Sequence, residues 1–457
     1  MNEKITQALT IKRKVRIVGA GFSGLTSAYY LVRAGFEVEI FDERPQVGGM
    51  IQTLQLSNGR VEKAANGLLN SYLVEDLFKD LGLTIQGTSS QARKRYIYRD
   101  GHPRRWSLKF FETLRFLIKL PFLVFFRRRF GPRPFESISQ FGRRILGKSA
   151  SQFTIETVLQ GIYAGDPERM SASQILQRFF GGKPASLANR DGEATARLSL
   201  RGTIAPVGGM QNLMKSLEKW LRNHGTIFHL SHSVSEAEAN QWSSHAPVIV
   251  CGSAPQASRL FTRPNDERGS ILRSIEMLPL VTSTVFFEKS IGVEGFGCLF
   301  PPTDHHQALG VLLNNYIFEG AVTSSAAMGT RPNSNSVFSE TWMLGGALFK
   351  SPYGNDVSRI SDEQVLEMIQ GVRKTRFAAH SAILGSEITR WPQALPHYTT
   401  ELERDLPSLQ GMKENILLMG NYLGQIGLAK ILERAAELPV QIRTDGFWNE
   451  ASSEGVI

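Results

Sequence analysis

The segment Gly19-Ala-Gly-Phe-Ser-Gly24 follows a β-rich run, Val15-Arg-Ile-Val18, and precedes Leu25 to Ala34, which has helical character and closes at Gly35. Strand, glycine turn and helix in that order make a cradle for phosphate. Gly19 permits the tight turn, Gly21 leaves space for a pyrophosphate against the backbone, and Gly24 lets helix and strand pack closely, with Phe22 and Ser23 of the same turn expected to be cofactor-binding too. The positive end of the helix then faces the phosphate charge. A second strand, Val38 to Phe41, ends at Asp42, where a carboxylate can accept hydrogen bonds from ribose hydroxyls. The spacing predicts a dinucleotide site.

No second GxGxxG occurs, since neither Cys251-Gly-Ser253 nor Gly420 to Gly427 fits the pattern. A nicotinamide domain is therefore not expected, and electrons should reach the bound cofactor directly from an organic substrate. The two cysteines, Cys251 and Cys298, lie far apart and suit a reducing compartment. His224, His229 and His232 form the closest histidine group, in a stretch of strand and turn character, and no metal is expected there. No Ser-His-Asp or paired-carboxylate constellation stands out, so no acid/base catalytic residue is expected.

The net charge of +10 favours an anionic partner. Arginines concentrate at 93–95, 104–105, 127–129 and 143–144, in a stretch also rich in Phe and Leu. With no zinc finger, RNP-like signature or basic low-complexity tail, nucleic acid is not expected as a partner. Met1 to Lys14 is polar and mixed in charge, unlike a secretory signal, so the expected location is cytoplasmic or peripheral on the cytoplasmic face of a membrane.

Beyond Asp42 the chain reads Glu43-Arg-Pro-Gln-Val-Gly-Gly-Met50, a basic residue and a glycine pair just past the ribose carboxylate. This resembles the flavin amine oxidase superfamily and favours FAD over NAD. Further stretches resemble the protoporphyrinogen oxidase family and follow its order: Phe141-Gly-Arg-Arg-Ile-Leu-Gly147, Gly161-Ile-Tyr-Ala-Gly-Asp-Pro-Glu-Arg-Met-Ser171, Val207-Gly-Gly-Met-Gln-Asn-Leu213, Thr341-Trp-Met-Leu-Gly-Gly346, Arg390-Trp-Pro-Gln-Ala-Leu-Pro-His-Tyr398 and Gly420-Asn-Tyr-Leu-Gly-Gln-Ile-Gly-Leu428. Gly161 to Ser171 is the most specific of them. The resemblance implies a glycine pair, Gly48 and Gly49, passing close to FAD beside Met50, with Glu43 and Arg44 near the ribose and diphosphate. It also implies FAD contacts at Val234, and at Gly420, Asn421, Ile426, Gly427 and Leu428 around the ribityl chain and pyrimidine end. The FAD is expected to be non-covalent, since no cysteine stands in that last stretch.

On the substrate side the resemblance implies that Arg95, in Arg93-Lys-Arg-Tyr-Ile-Tyr98, pairs with a propionate at a partly buried site, where its fork binds carboxylate bidentately. It implies that Leu299, Leu312 and Met343 sandwich a macrocycle and that Asn66 lies near the reacting carbon. One departure is visible. Where the family commonly has Gly-Pro before the asparagine, this chain has Ala64-Ala65, so the backbone there should turn differently.

The expected fold is α/β, with a Rossmann-type FAD-binding domain of the two-dinucleotide-binding, amine-oxidase-like kind interleaved with a mixed-sheet substrate domain. The first should comprise residues 1–90, 205–265 and 402–457, and the second 270–401 with part of 91–98. Residues 99–201 are expected to form a helical insertion, and 323–336, rich in Ser, Asn and Gly, a loop. Within the insertion, Lys109, Glu112, Arg115 and Lys119 fall along one stripe of a helix whose remainder is Phe and Leu. Its longest uncharged run, Leu120 to Phe126, is far too short to span a bilayer. Such a helix can lie in the membrane interface, aided by Arg127 to Arg129, or it can roof the substrate pocket.

The activity this implies is FAD-dependent oxidation of protoporphyrinogen IX to protoporphyrin IX in heme biosynthesis, with oxygen or another acceptor taking the electrons. Coproporphyrinogen, an amine or a carotenoid precursor is the alternative substrate, and a redox-inactive binding protein of the same fold is the non-enzyme alternative. Expected partners are a porphyrinogen, oxygen, a peripheral membrane surface and a second copy in a homodimer.

Overall fold

A computed structural model describes residues 13–125, 129–180, 198, 200–304, 308–318, 337–424 and 426–444. The expected loop at 323–336 and Arg127 and Arg128 lie outside the described residues.

Strand β1 (Lys14–Val18), helix α1 (Phe22–Arg33) and strand β2 (Glu37–Asp42) form a crossover unit whose two strands pair in parallel. Val15 and Ile17 point into the core with no exposure, while the intervening residues are half-buried. The sheet around them takes strands from distant parts of the chain. Its order is Ile227–Leu230, β2, β1, Val248–Val250 and Ile416–Leu418, all parallel, with Met412–Lys413 added antiparallel at one edge. Val248-Ile-Val250 is buried throughout, as a central parallel strand must be. Helices α1, Met210–Asn223 and Leu428–Thr444 contribute Leu25, Leu213, Leu217 and Leu432 to one shared core.

A second sheet has seven strands in the order Ile383–Pro396, Met277–Phe287, Phe338–Gly345, Ala308–Leu313, Gly297–Leu299, Arg95–Arg99 and His102–Arg104. His102–Arg104 lies within the stretch read from sequence as helical insertion, yet it extends this sheet by pairing with Arg95–Arg99. Since side chains alternate along a strand, register decides which residues share a face. One face presents Val281, Trp342, Val311, Cys298 and Tyr98, which pack in a core with Val365, Met368, Ile369 and Val372 of helix Asp362–Phe377. Within that core Glu340 and Arg373 form an ion pair, and Trp342 Nε1 donates to Glu340 Oε2 at 3.0 Å. The opposite face is left for the site.

In the insertion, helix Phe110–Phe125 turns Glu112 and Lys119 of its charged stripe inward, leaves Arg115 exposed, and sets much of its apolar side outward. Arg99, whose side chain is 2% exposed, donates to both carboxylate oxygens of Glu112 at 2.7 and 3.0 Å, and also to Ser107 O and Ser149 Oγ. Lys119 Nζ donates to the carbonyl of Ile145. Phe110, Phe111, Leu114, Leu117, Ile118, Leu120, Phe122 and Phe125 remain exposed.

The Arg99 guanidinium holds the Glu112 carboxyl down to about 2, from 4.5. A carboxylate depressed in this way contributes stability above pH 4.5 that is lost as pH falls through about 2. Glu112→Gln leaves a buried guanidinium without its counter-ion and should cost about 2–4 kcal/mol at pH 7. Urea unfolding of both proteins checks this. The difference should shrink between pH 4.5 and 2, and a difference that held constant across that range would overturn the assignment.

Candidate cofactor and substrate site

The glycine turn of β1 and α1 is fixed by contacts that no single element supplies. Gly19, at φ +107°, donates its N–H to Phe41 O, and Asp42 at the end of β2 accepts from Ala20 N–H at 2.6 Å and Arg44 N–H at 2.8 Å. Asp42 thus fastens the turn it was expected to serve only as ribose acceptor. A methyl at Gly24 would lie 1.8 Å from Gly19 O, so this residue is glycine for packing. At Gly21 the case differs. Its nearest neighbour would be Gly49 Cα at 3.9 Å, and nothing on the protein fills the space that an added side chain would take.

Around that space expected cofactor residues come together from three parts of the sequence, 19–24, 48–50 and 420–427. Gly48 N–H donates to Ala20 O, and Gly49, at φ +60°, comes so close to Gly21 that a methyl on it would be 3.2 Å from Gly21 Cα. Met50 follows, half-buried. Ser23 Oγ donates to Met419 O, tying the first turn of α1 to the chain just before Gly420. Asn421 is held by Tyr398, whose hydroxyl donates to its carbonyl at 2.5 Å. At Gly427, just before helix Leu428–Thr444, an added methyl would meet nothing within 4 Å, while Ile426 packs on a neighbouring core.

Other residues have roles the sequence did not show. The Phe22 side chain is 6% exposed and belongs to the core, so only its backbone faces the turn. Glu43 accepts from Gln256 Nε2 at 3.0 Å and lies 3.4 Å from Arg259, and Arg44 accepts Ser231 N–H through its carbonyl. Val234 packs against the second core. His229 stacks on Phe41, His224 stacks on Trp220, and His232 Nε2 lies 3.0 Å from Glu238 Oε1. Burial pushes the Cys251 thiol up to about 12.

These residues fit FAD. The N-terminus of α1 carries no side-chain cap at Gly21 and no acidic residue in its first turn, leaving first-turn N–H groups open toward the space beside Gly21. Gly19, Gly21, Gly24, Gly48 and Gly49 would hold the diphosphate, Asp42 the ribose, and the Gly420 to Leu428 stretch the flavin end.

On the second face of the seven-stranded sheet, register forms two rows. Ile97, Leu299, Gly310, Met343, Thr282 and Thr389 stand opposite one another across six strands, and so do Arg95, Gly297, Leu312, Thr341, Thr284 and Glu387. Four residues singled out in sequence, Arg95, Leu299, Leu312 and Met343, therefore share one face. Helix Thr157–Tyr163 lies against Leu299 so closely that a methyl at Gly161 would be 2.6 Å from its Cδ2. Asn66 Nδ2 reaches Asn314 Oδ1 at 3.5 Å, and Asn314 donates to Ser339 and Thr341.

A cavity opens at this end of the face, lined by Arg60, Glu62, Asn66, Asn314, Phe318 and Thr341 among others. Of these, sequence reasoning found only Asn66. Thr341 stands two residues before Met343 and Asn314 two after Leu312, so the two-residue period of a strand was the signal that could have found them. Glu62 accepts from Thr53 Oγ1 at 2.7 Å and from Met210 N–H at 3.2 Å, and burial raises its pKa against these contacts. Arg95 departs from expectation. It is exposed, with its guanidinium 4.6 Å from the centre of the Phe296 ring.

The Gly161 to Ser171 motif works as a clasp between the insertion and the rest of the chain. Asp166 N–H donates to His397 Nε2 at 3.1 Å, and the other ring nitrogen lies 3.0 Å from Glu276 Oε2. Ser171 N–H donates to Tyr398 O, and Tyr398 in turn reaches Asn421.

A parallel sheet with a glycine turn at the end of its first strand, joined to a seven-stranded sheet whose second face turns toward it, defines a dinucleotide-dependent oxidoreductase of the amine-oxidase type. The flavin containing amine oxidoreductase family matches residues 22–429, and the chain belongs to this family. It is an FAD-dependent oxidase. The chain is 24% identical to the mitochondrial protoporphyrinogen oxidase of Nicotiana tabacum, over 94% of this chain and 95% of that protein. It is 26% identical to the coproporphyrinogen III oxidase of Bacillus subtilis, over 49% of this chain and 55% of that one. The cyclohexylamine oxidase of Brevibacterium oxydans has the same fold, with a TM-score of 0.62 and 14% identity over 96% of this chain and 100% of that one.

Proposed function

We propose that this oxidase acts on a porphyrinogen, with protoporphyrinogen IX as the leading substrate and protoporphyrin IX as product. The observation that carries this reading is the shared face of Arg95, Leu299, Leu312 and Met343. It offers an apolar floor with a cation at its edge, which suits a flat, greasy macrocycle bearing carboxylates. A small amine would need neither that floor nor the Arg93-Lys-Arg95 charge.

When bound, FAD supplies the hydride acceptor and so carries the difficult chemistry. The residues of the chain do the positioning. Leu299, Leu312 and Met343 present the macrocycle in one plane and exclude water, Arg95 fixes the carboxylate rim, and Asn66 orients the reacting meso carbon. Loss of hydride from that carbon with loss of an N–H proton, repeated, gives the aromatic product, and oxygen is the final electron acceptor, leaving as hydrogen peroxide.

Anaerobic mixing of the purified protein with protoporphyrinogen should bleach the flavin absorbance, and coproporphyrinogen tests the runner-up. If neither bleaches it while cyclohexylamine does, the reading is wrong. Because Arg95 is exposed, its pairing with a propionate is worth about 1 kcal/mol or less, and the loss expected of a buried site does not apply. Arg95→Ala should lower kcat/KM by about two- to fivefold with FAD fully retained, and high salt should erase the difference. A variant that lost FAD would show Arg95 to be structural.

No helix among the described residues is long and apolar enough to cross a membrane. Of the basic cluster in this part of the chain, Arg143 pairs with Glu168 and Arg144 with Glu136. The reading retained is that helix Phe110–Phe125 lies in a membrane interface through its exposed apolar side.

A further inference from the structure

We infer that Arg60 forms a second carboxylate-binding position, on the substrate face away from Arg95, so that the site also accepts a macrocycle carrying carboxylates on opposite edges. This rests on the porphyrinogen reading above and extends it to the runner-up substrate of the same class.

Arg60 and Glu62 alternate along the strand Gly59–Glu62 and both line the cavity with Asn66, Asn314 and Thr341. The Arg60 side chain is only 16% exposed, yet its single contact among the described residues is a loose one, Nε to Glu62 Oε1 at 3.4 Å. Glu62 does not depend on it. Its carboxylate already accepts from Thr53 Oγ1 and from the Met210 N–H at the start of helix Met210–Asn223. The two terminal nitrogens of Arg60 therefore remain as a planar donor fork beside the cavity, the geometry that binds a carboxylate bidentately. A mostly buried guanidinium so lightly engaged gains most from an anionic ligand.

Position on the sheet sets the span. Arg95, Gly297, Leu312 and Thr341 stand opposite one another on successive strands, so Arg95 and the cavity at Thr341 are three strand steps apart, about 14 Å. Leu312 and the side-chain-free Gly297 lie between them as an apolar floor. Protoporphyrin carries its two propionates on neighbouring pyrroles, at one edge, and one arginine can serve that edge. Coproporphyrin carries one on every pyrrole, and so presents carboxylates at both ends of such a floor.

The test is binding of the product porphyrins to the FAD-loaded enzyme, read by quenching of porphyrin fluorescence. The ligands are coproporphyrin III, protoporphyrin IX and their methyl esters. Wild type should prefer coproporphyrin over its ester, and Arg60→Gln should reduce that preference by about tenfold while changing the protoporphyrin preference less than about twofold. Arg60→Lys, which keeps the charge without the fork, should fold as wild type and lose part of the preference. If both variants keep the wild-type ratio, Arg60 is a structural partner of Glu62 and the inference falls, whatever happens to thermal stability. If wild type binds none of the four ligands, the porphyrinogen reading falls with it.

Discussion

Gly21→Val should give a folded protein that holds no FAD, whereas Gly24→Ala should lose the fold itself. The two glycines belong to one motif and are glycine for different reasons. At Gly24 a methyl would overlap Gly19 O at 1.8 Å, a distance that only displacement of α1 from β1 can relieve, and the cost falls on the apo chain. At Gly21 the backbone has φ −77°, open to any residue, and the nearest atom to an added methyl is 3.9 Å away. Valine there occupies only the space where a pyrophosphate would lie. Circular dichroism should therefore be unchanged for Gly21→Val, with absorbance near 450 nm absent, a rough expectation for the flavin band. Flavin occupancy equal to wild type would remove the central claim about this turn. Asp42→Ala should fall between the two, because it removes the ribose acceptor and also frees the N–H groups of Ala20 and Arg44.

The second large effect is expected at the outer surface of helix Phe110–Phe125. Phe111 and Phe125 are 80% and 83% exposed, and eight large apolar side chains on this helix face outward. Exposed apolar area of this extent marks an interaction surface. The polar side cannot turn out instead, because Glu112 is held by Arg99 and Lys119 by Ile145 O. Burying one Phe in the interface is worth about 1.5–3 kcal/mol, so replacing both Phe111 and Phe125 by Glu should weaken vesicle binding by at least a hundredfold. Sedimentation with vesicles of mixed neutral and anionic lipid checks it. Apolar insertion predicts that wild-type binding persists at high salt and is released by detergent, with the double variant monodisperse and active in solution. Wild-type protein that stays wholly in the supernatant at low salt would sink the membrane reading.

The cofactor turn was legible because its constraints are local. Gly19, Gly21, Gly24 and Asp42 lie within one β1-α1-β2 unit, where strand, turn and helix periods set positions without reference to the rest of the chain. The charged stripe of Glu112, Arg115 and Lys119 was legible too, since a helix period is a property of neighbours in sequence. Which way that stripe faces was not. The usual rule would put charge outward, as at Arg115, and it is reversed at Glu112 by Arg99, a buried guanidinium on a strand of another layer.

The amino-acid sequence by itself thus determined the dinucleotide turn, the flavin family and Leu299, Leu312 and Met343 as candidates for a substrate floor. Tertiary structure alone decided that Arg95, Leu299, Leu312 and Met343 share a face, because they sit on four strands whose register depends on pairing between distant segments. It also decided that Arg60, Asn314 and Thr341 meet in one cavity and that Arg95 is exposed. Distance in space between such residues is set by strand order and sheet packing, quantities that sum over long-range contacts. No local pattern of residues encodes them.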